Sequence, residues 1–130
     1  MTTFIPTKVH GVLDYVLGAV ITASPWLFSF TDDAGGAALF IPVISGSLLL
    51  IMTIFTDHEV GLVRAIPIQL HLAIDVIAGF TLFIAPFLYG FYPHVFLPHV
   101  LLGLLLMGTG IFTAHSVVLD KTEAFNSRGF

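Results

Sequence analysis

Two histidines and two aspartates recur at helical spacing within stretches that are otherwise apolar. The segment HGVLD places His10 four residues before Asp14, and HLAID places His71 four residues before Asp75. Residues four apart lie on one face of an α-helix, so each pair can share a hydrogen bond. Imidazole and carboxylate groups in this arrangement suit structural pairing, ligation of a metal ion or haem, and proton transfer.

Two further histidines stand in matching segments. His58 ends IFTDH and His115 ends IFTAH. If these segments end helices on the membrane side where His10 and His71 begin theirs, all four histidines lie at one membrane level. We therefore predict one polar cluster that contains the two His/Asp pairs together with His58 and His115.

The composition predicts a lipid environment. Of the 130 residues 57% are hydrophobic and only 9% are charged, whereas about a quarter of the residues are charged in a typical soluble domain. The formal net charge is −4, and four scattered basic residues exclude a nucleic-acid-binding surface. The chain has no cysteine, so disulfides and cysteine-ligated metal sites are excluded.

Four apolar stretches are each close to the roughly 20 residues that a helix needs to cross a bilayer. They lie at about 9–30, 37–56, 66–91 and 95–118. We therefore predict an all-α fold in which residues 1–130 form a single membrane domain, a bundle of four transmembrane helices in contact with the lipid bilayer. Residues 119–130 are polar and are predicted to form a cytoplasmic tail.

The basic residues predict the orientation of these spans. Lys8, Arg64, Lys121 and Arg128 all fall on one side of a four-span topology. The positive-inside rule assigns that side to the cytoplasm. We therefore expect a multi-pass protein of the inner (plasma) membrane with both termini in the cytoplasm.

The chain has the pattern of an internal duplication. Repeat 1 covers about 5–60 and repeat 2 about 66–118, with the two His/Asp pairs in register and IFTDH aligned with IFTAH. Each repeat is predicted to be a helical hairpin, and an even number of spans per repeat makes the two tandem hairpins parallel-related.

Paired glycines predict where helices pack. Gly18 corresponds to Gly79, and Gly46 corresponds to Gly103. Small residues let membrane helices approach closely, so we expect these four positions at helix–helix contacts.

Ser24, Pro25 and Trp26 form an SPW motif, and its counterpart in the second repeat has Pro86 and Phe87. Proline removes a backbone N–H, so we expect a bend near the outer end of each odd-numbered helix, with Ser24 bonding a freed carbonyl. Trp26 suits an outer membrane interface as an anchor. An outward-facing ligand pocket is the alternative interpretation of the motif.

Three residues of the even-numbered helices and the outer loop complete the pattern. Pro42 is expected near the start of the second helix, where proline is well tolerated. His94 and His99 have no counterpart in the first repeat, and we predict that both are interfacial.

The SPW motif, with His10 and Asp14 in a two-helix repeat, resembles the SPW-repeat family of small bacterial membrane proteins. The resemblance covers nearly the whole chain and implies the architecture described above in a bacterial inner membrane. The second repeat departs from the motif because it lacks the serine and the tryptophan. The family has no established activity, so the resemblance implies no function.

Three interpretations of the polar cluster remain open. In the one we favour, each histidine pairs with its own aspartate, and the protein is a non-enzymatic structural or accessory module that assembles with itself or with another membrane protein. In the second, His10 and His71, with His58 and His115 as alternatives, bind a metal ion or haem. In the third, the two aspartates carry protons or ions and the histidines act as relays.

The sequence offers little support for enzymatic chemistry. It contains no phosphate-binding glycine loop and no HExxH motif, and no nucleophilic triad is apparent. We therefore predict no enzymatic activity, with a metal-dependent membrane enzyme as a remote alternative. No cofactor is implied other than a metal ion or haem.

Overall fold

The computed structural model describes residues 3–31 and 35–116, which fold into four α-helices. These are α1 (Thr7–Leu27), α2 (Gly36–Ile54), α3 (Ile68–Leu88) and α4 (Leu97–Phe112). The predicted all-α fold is confirmed. The expected tail at 119–130, with Lys121 and Arg128, lies outside the described residues, as do the last two residues of the expected fourth span.

The helices form two pairs, since α1 packs mainly on α2 and α3 packs mainly on α4. The two helices of each pair follow one another along the chain and run antiparallel. Glycines lie where the paired helices meet. A Cβ atom on Gly46 would lie 2.8 Å from the Gly18 carbonyl oxygen, and one on Gly103 would lie 2.6 Å from the Gly79 carbonyl oxygen. Any larger residue would therefore force the two backbones of each pair apart.

Short extended segments connect the two helix pairs. Ile5 forms a parallel bridge with Thr113, and Thr56 forms one with Ile66. The Ala114 N–H also donates to the Ile5 carbonyl at 2.9 Å. The prediction that the fourth helix continues to residue 118 is wrong, because it ends at Phe112 where the extended backbone of Thr113 pairs with the segment before α1.

Apolar side chains lie both in the core of the bundle and over much of its surface. A buried apolar layer fills the middle of the bundle and consists of Leu17, Ile21, Leu49, Leu82, Leu102 and Leu106. Large apolar side chains are also exposed on every helix, including Val16, Ile44, Ile77 and Leu101, while four ionisable side chains, those of His10, Asp14, His71 and Asp75, are fully buried. Such a surface suits lipid rather than water.

Two of the described helices, α2 and α3, are long and apolar enough to cross a membrane. The fourth helix is apolar but has only 16 residues, which corresponds to about 24 Å. The apolar helices and the exposed apolar surface support a membrane protein in contact with lipid.

Two of the prolines inside helices, Pro25 in α1 and Pro42 in α2, each leave a carbonyl without its helical donor, and a side chain donates to that carbonyl instead. Pro25 has no N–H for the carbonyl of Ile21, and the Ser24 hydroxyl donates to that oxygen at 2.7 Å. Pro42 lies in the second turn of α2 rather than at its start, and it leaves the carbonyl of Ala38 without a helical donor.

The partner of that second carbonyl is His99. Its Nε2 donates to the Ala38 oxygen at 3.0 Å, and its ring packs between Phe30 and Phe91 at centroid distances of 5.1 and 4.9 Å. His99 lies in the first turn of α4 and is buried, and it joins α4 to α2 in the protein interior. Its position at the level of the membrane interface stays a prediction. His94 is exposed.

Candidate functional site

Four ionisable side chains meet inside the bundle. His10 and Asp14 project from α1, and His71 and Asp75 project from α3; all four are 0% exposed. The i, i+4 spacing places both members of each pair on one helix face, and these two faces oppose each other. We call these four residues the His/Asp cluster. The structure thus brings together four of the six residues that the sequence assigned to one polar cluster.

Each imidazole of the His/Asp cluster contacts both carboxylates. His10 Nε2 lies 2.8 Å from Asp14 Oδ2 and 3.0 Å from Asp75 Oδ2. His71 Nε2 lies 2.8 Å from Asp14 Oδ2 and 3.3 Å from Asp75 Oδ2. The expected pairing of each histidine with its own aspartate is therefore only half of the arrangement, because equally short contacts cross from one hairpin to the other.

Two threonines hold the other nitrogen of each imidazole. Thr113 Oγ1 lies 2.7 Å from His10 Nδ1, and Thr56 Oγ1 lies 2.5 Å from His71 Nδ1. Each hydroxyl donates its single hydrogen to the carbonyl four residues earlier, at 2.5 Å in both cases. The hydroxyl oxygen therefore accepts, so Nδ1 of both histidines carries a hydrogen.

These threonines were not among the predicted site residues. The sequence contains a signal for them, because Thr56 and Thr113 occupy the same position in the matching segments IFTDH and IFTAH. Their location at the ends of α2 and α4 places them beside the imidazole of the opposite hairpin.

The geometry limits what can lie at the centre of the cluster. With hydrogen on both Nδ1 atoms, each Nε2 faces Oδ2 atoms across 2.8–3.3 Å. Two lone pairs at that distance repel, so a proton or a cation must lie between nitrogen and oxygen. The Oδ1 atoms of Asp14 and Asp75 are buried and have no hydrogen-bond partner within the described part of the chain. The cluster can therefore share protons or hold a positive ion.

His58 and His115 lie at the same end of the bundle but beside the His/Asp cluster. The His58 ring is buried, 6.1 Å from the ring of His71, and its Nδ1 accepts from the Val60 N–H at 3.2 Å. Burial lowers the pKa of His58, and the nearby His71 lowers it further. His115 is exposed.

Both of these histidines line a cavity of about 230 Å³ at this end of the bundle. The other lining residues are Thr7, Asp57, Glu59, Arg64 and Ile68. The Thr7 hydroxyl contacts both Glu59 carboxylate oxygens, at 2.8 and 2.9 Å. Hydrogen bonds from its own backbone N–H and from Thr7 lower the pKa of Glu59. A polar cavity therefore reaches from the protein surface to the residues next to the cluster.

The SPW motif lies at the opposite end of α1 from the His/Asp cluster. Pro25 and Pro86 are buried, whereas Trp26 and Phe87 are exposed. The Phe87 ring stacks on that of Tyr92 at a centroid distance of 6.0 Å. The role of Trp26 and Phe87 as interface anchors stays a prediction.

A comparison with protein families identifies the family of this chain. The model of a family described as the SPW repeat domain matches residues 8–113. This range contains the His/Asp cluster, both threonines that contact it, and the SPW motif. No curated protein and no solved structure matches the chain.

Proposed function

The chain belongs to the SPW repeat family, and we propose that it is a structural or accessory module of the bacterial inner membrane, without enzymatic activity. In this proposal all four helices span the membrane, both termini are cytoplasmic, and the module assembles with a second copy or another membrane protein. The His/Asp cluster locks the two hairpins into one rigid unit.

The observation that carries this proposal is the pair of cross-hairpin contacts, His10 to Asp75 at 3.0 Å and His71 to Asp14 at 2.8 Å. A charged side chain in a membrane interior costs about 2.5–3.5 kcal/mol, so such groups need partners. In this structure each of the two carboxylates contacts one imidazole from each hairpin. Separation of the hairpins would break both cross-hairpin contacts and leave each carboxylate with one imidazole instead of two, so the cluster favours one arrangement of the four helices.

Equivalent contacts in the two halves support the proposed duplication. Thr113 bonds His10 and bridges to Ile5, and Thr56 bonds His71 and bridges to Ile66 in the same way. These pairs are related by the alignment of the two repeats.

Features of the surface support four spans with cytoplasmic termini. Exposed apolar side chains occur on all four helices, and α1 has 21 residues, about 31 Å of helix. Lys8 and Arg64 both lie at the end of the bundle that carries the polar cavity. A bilayer adjusts to the shorter α4 by local thinning at modest cost.

The absence of cysteine makes the topology directly testable. Leu62→Cys and Tyr92→Cys place single thiols in exposed positions, in the loop after α2 and the loop after α3. In intact cells, a membrane-impermeant maleimide is expected to label Tyr92→Cys at once and Leu62→Cys only after lysis. The reverse pattern contradicts the orientation, and labelling of both from outside contradicts the four spans.

The structural role is tested by unfolding in detergent micelles. We expect His10→Ala and His71→Ala to lower the unfolding midpoint strongly, and His94→Ala, an exposed histidine, to leave it unchanged. Midpoints that match the wild type in both cluster variants contradict the proposal. In proteoliposomes, collapse of a pH gradient that is lost in Asp14→Asn and Asp75→Asn would instead identify a proton carrier.

A further inference from the structure

We propose that the His/Asp cluster binds one zinc ion, with Nε2 of His10 and His71 and one carboxylate oxygen each of Asp14 and Asp75 as ligands. The inference rests on the proposed structural role of the same cluster and adds a ligand to it. The ion would lie between α1 and α3 and link the two hairpins through four bonds, two from each.

The positions of the ligand atoms suit a tetrahedral ion. One atom from each of the four residues can be chosen so that all lie within 4.8 Å of one another. Zinc–nitrogen and zinc–oxygen bonds of about 2.0–2.1 Å place tetrahedral ligand atoms roughly 3.3 Å apart. The nitrogen–oxygen separations of 2.8–3.3 Å reach that value after outward shifts of a few tenths of an ångström.

The tautomer of both histidines is the one that zinc requires. A metal-binding imidazole offers the lone pair of one nitrogen and usually donates the other N–H to a protein acceptor, which fixes the ring orientation. Thr113 and Thr56 accept the Nδ1 hydrogens and turn both Nε2 atoms to the centre of the cluster. This outer contact occurs identically in the two hairpins.

The charges also balance. Two carboxylates and two neutral imidazoles have a combined charge of −2, which one zinc ion neutralises. A buried site with no net charge avoids the cost of an uncompensated ion inside a membrane protein.

The donor set selects among ions and cofactors. Two imidazoles and two carboxylates favour zinc over calcium and magnesium, which take six or more oxygen ligands. A haem between His10 and His71 would need the space that the carboxylates of Asp14 and Asp75 occupy. The zinc ion would enter through the cavity that His58 lines. His58 faces that cavity, and its ring lies beside the ring of His71, so the cavity leads from the protein surface toward the cluster.

The experiment measures metal in protein purified in detergent without chelators. Elemental analysis is expected to find about one zinc ion per chain, and Asp14→Asn and Asp75→Asn are expected to lower this content at least tenfold. His99→Gln is the matched control, because His99 is a buried histidine outside the cluster, and it should keep the full zinc content.

A second measurement needs no variant and so does not depend on whether the asparagine variants fold. Wild-type protein stripped of metal and titrated with Co²⁺ is expected to develop the strong visible absorption of tetrahedral cobalt, which added Zn²⁺ then removes. Folded wild-type protein that binds neither ion overturns the zinc site, as does unchanged zinc content in both folded asparagine variants. If His10→Ala and His71→Ala still destabilise the metal-free protein, the structural role of the His/Asp cluster is retained without zinc. If neither substitution destabilises the metal-free protein, the proposed structural role is contradicted.

Discussion

His71 lies closer to Asp14 of the other hairpin than to Asp75 of its own helix, with Nε2–Oδ2 distances of 2.8 and 3.3 Å. Asp14 is also 2.8 Å from His10, so its carboxylate has two short imidazole contacts, whereas those of Asp75 are 3.0 and 3.3 Å. The two aspartates are therefore equivalent in the sequence but unequal in the structure, and Asp14 has the tighter links.

This inequality predicts that Asp14→Ala is more destabilising than Asp75→Ala. Removal of one partner from a buried ion pair costs about 3–5 kcal/mol, because the other partner is left uncompensated. We expect Asp14→Ala to lower the free energy of unfolding by that amount and Asp75→Ala by less, as measured by denaturant titration in mixed micelles with circular dichroism.

The matched control is Asp57→Ala, because the carboxylate of Asp57 is exposed and pairs with the exposed Arg64 guanidinium at 3.8 Å. Exposed pairs contribute about 0–1 kcal/mol. A loss for Asp14→Ala as small as that of this control would contradict the importance of the shared carboxylate.

The threonines at the ends of α2 and α4 are predicted to orient the imidazoles. Thr113→Val keeps the side-chain shape but leaves the Nδ1 hydrogen of His10 without an acceptor, which costs about 1–3 kcal/mol for a buried donor. Thr56→Val should have the same effect through His71, while serine at either position should keep most of the stability. Thermal unfolding of these variants provides the measurement.

Thr81→Val serves as the control for these substitutions, since Thr81 is exposed and its hydroxyl donates to the Ile77 carbonyl of its own helix. Valine variants at positions 56 and 113 that unfold like this control would contradict an orienting role.

The number of helices could be predicted from the sequence because apolar stretch length and composition are local properties. The sharing of each carboxylate between two imidazoles could not be predicted from the sequence. Whether His71 meets Asp75 or Asp14 depends on the separation and rotation of α1 and α3, and the i, i+4 spacing describes only one helix at a time. The pattern therefore predicted the residues of the His/Asp cluster but not its connections.

The ends of the even-numbered helices could not be predicted from the sequence for a different reason. The apolar character of IFTAH continues past Phe112, and threonine is compatible with both helix and extended backbone. The extended conformation of Thr113 depends on its pairing with Ile5, at the other end of the chain. In the same way, Pro42 predicts that the carbonyl of Ala38 lacks its helical donor, but no local sequence pattern identifies His99 as the side chain that donates to it.

The glycine contacts predict unequal effects in the two hairpins. A Cβ atom on Gly79 would meet backbone atoms, Met107 N at 2.6 Å and the Gly103 oxygen at 2.7 Å, whereas on Gly18 the closest atoms belong to the flexible side chain of Leu50. Gly79→Ala should therefore destabilise by about 1–3 kcal/mol, as overpacking does. Gly18→Ala should cost less, because Leu50 can change rotamer.

Gly108→Ala is the control for both glycine substitutions, since within the described residues no neighbouring helix lies within 4 Å of the position that its methyl group would occupy. Alanine is the better helix former, so this variant should be neutral or more stable by up to about 1 kcal/mol. Denaturant titration that ranks Gly18→Ala as the most damaging of the three would contradict the packing argument.

His99 and Pro42 are predicted to be energetically coupled through the carbonyl of Ala38. His99→Leu keeps an apolar side chain between Phe30 and Phe91 but leaves that buried oxygen unpaired, at a cost of about 1–3 kcal/mol. In a Pro42→Ala background the backbone N–H at position 42 can bond the same oxygen, so the loss caused by His99→Leu should shrink. A double-mutant cycle of unfolding free energies should give a coupling of about 0.5–3 kcal/mol, and strictly additive effects would show that His99 does not replace the hydrogen bond that Pro42 removes.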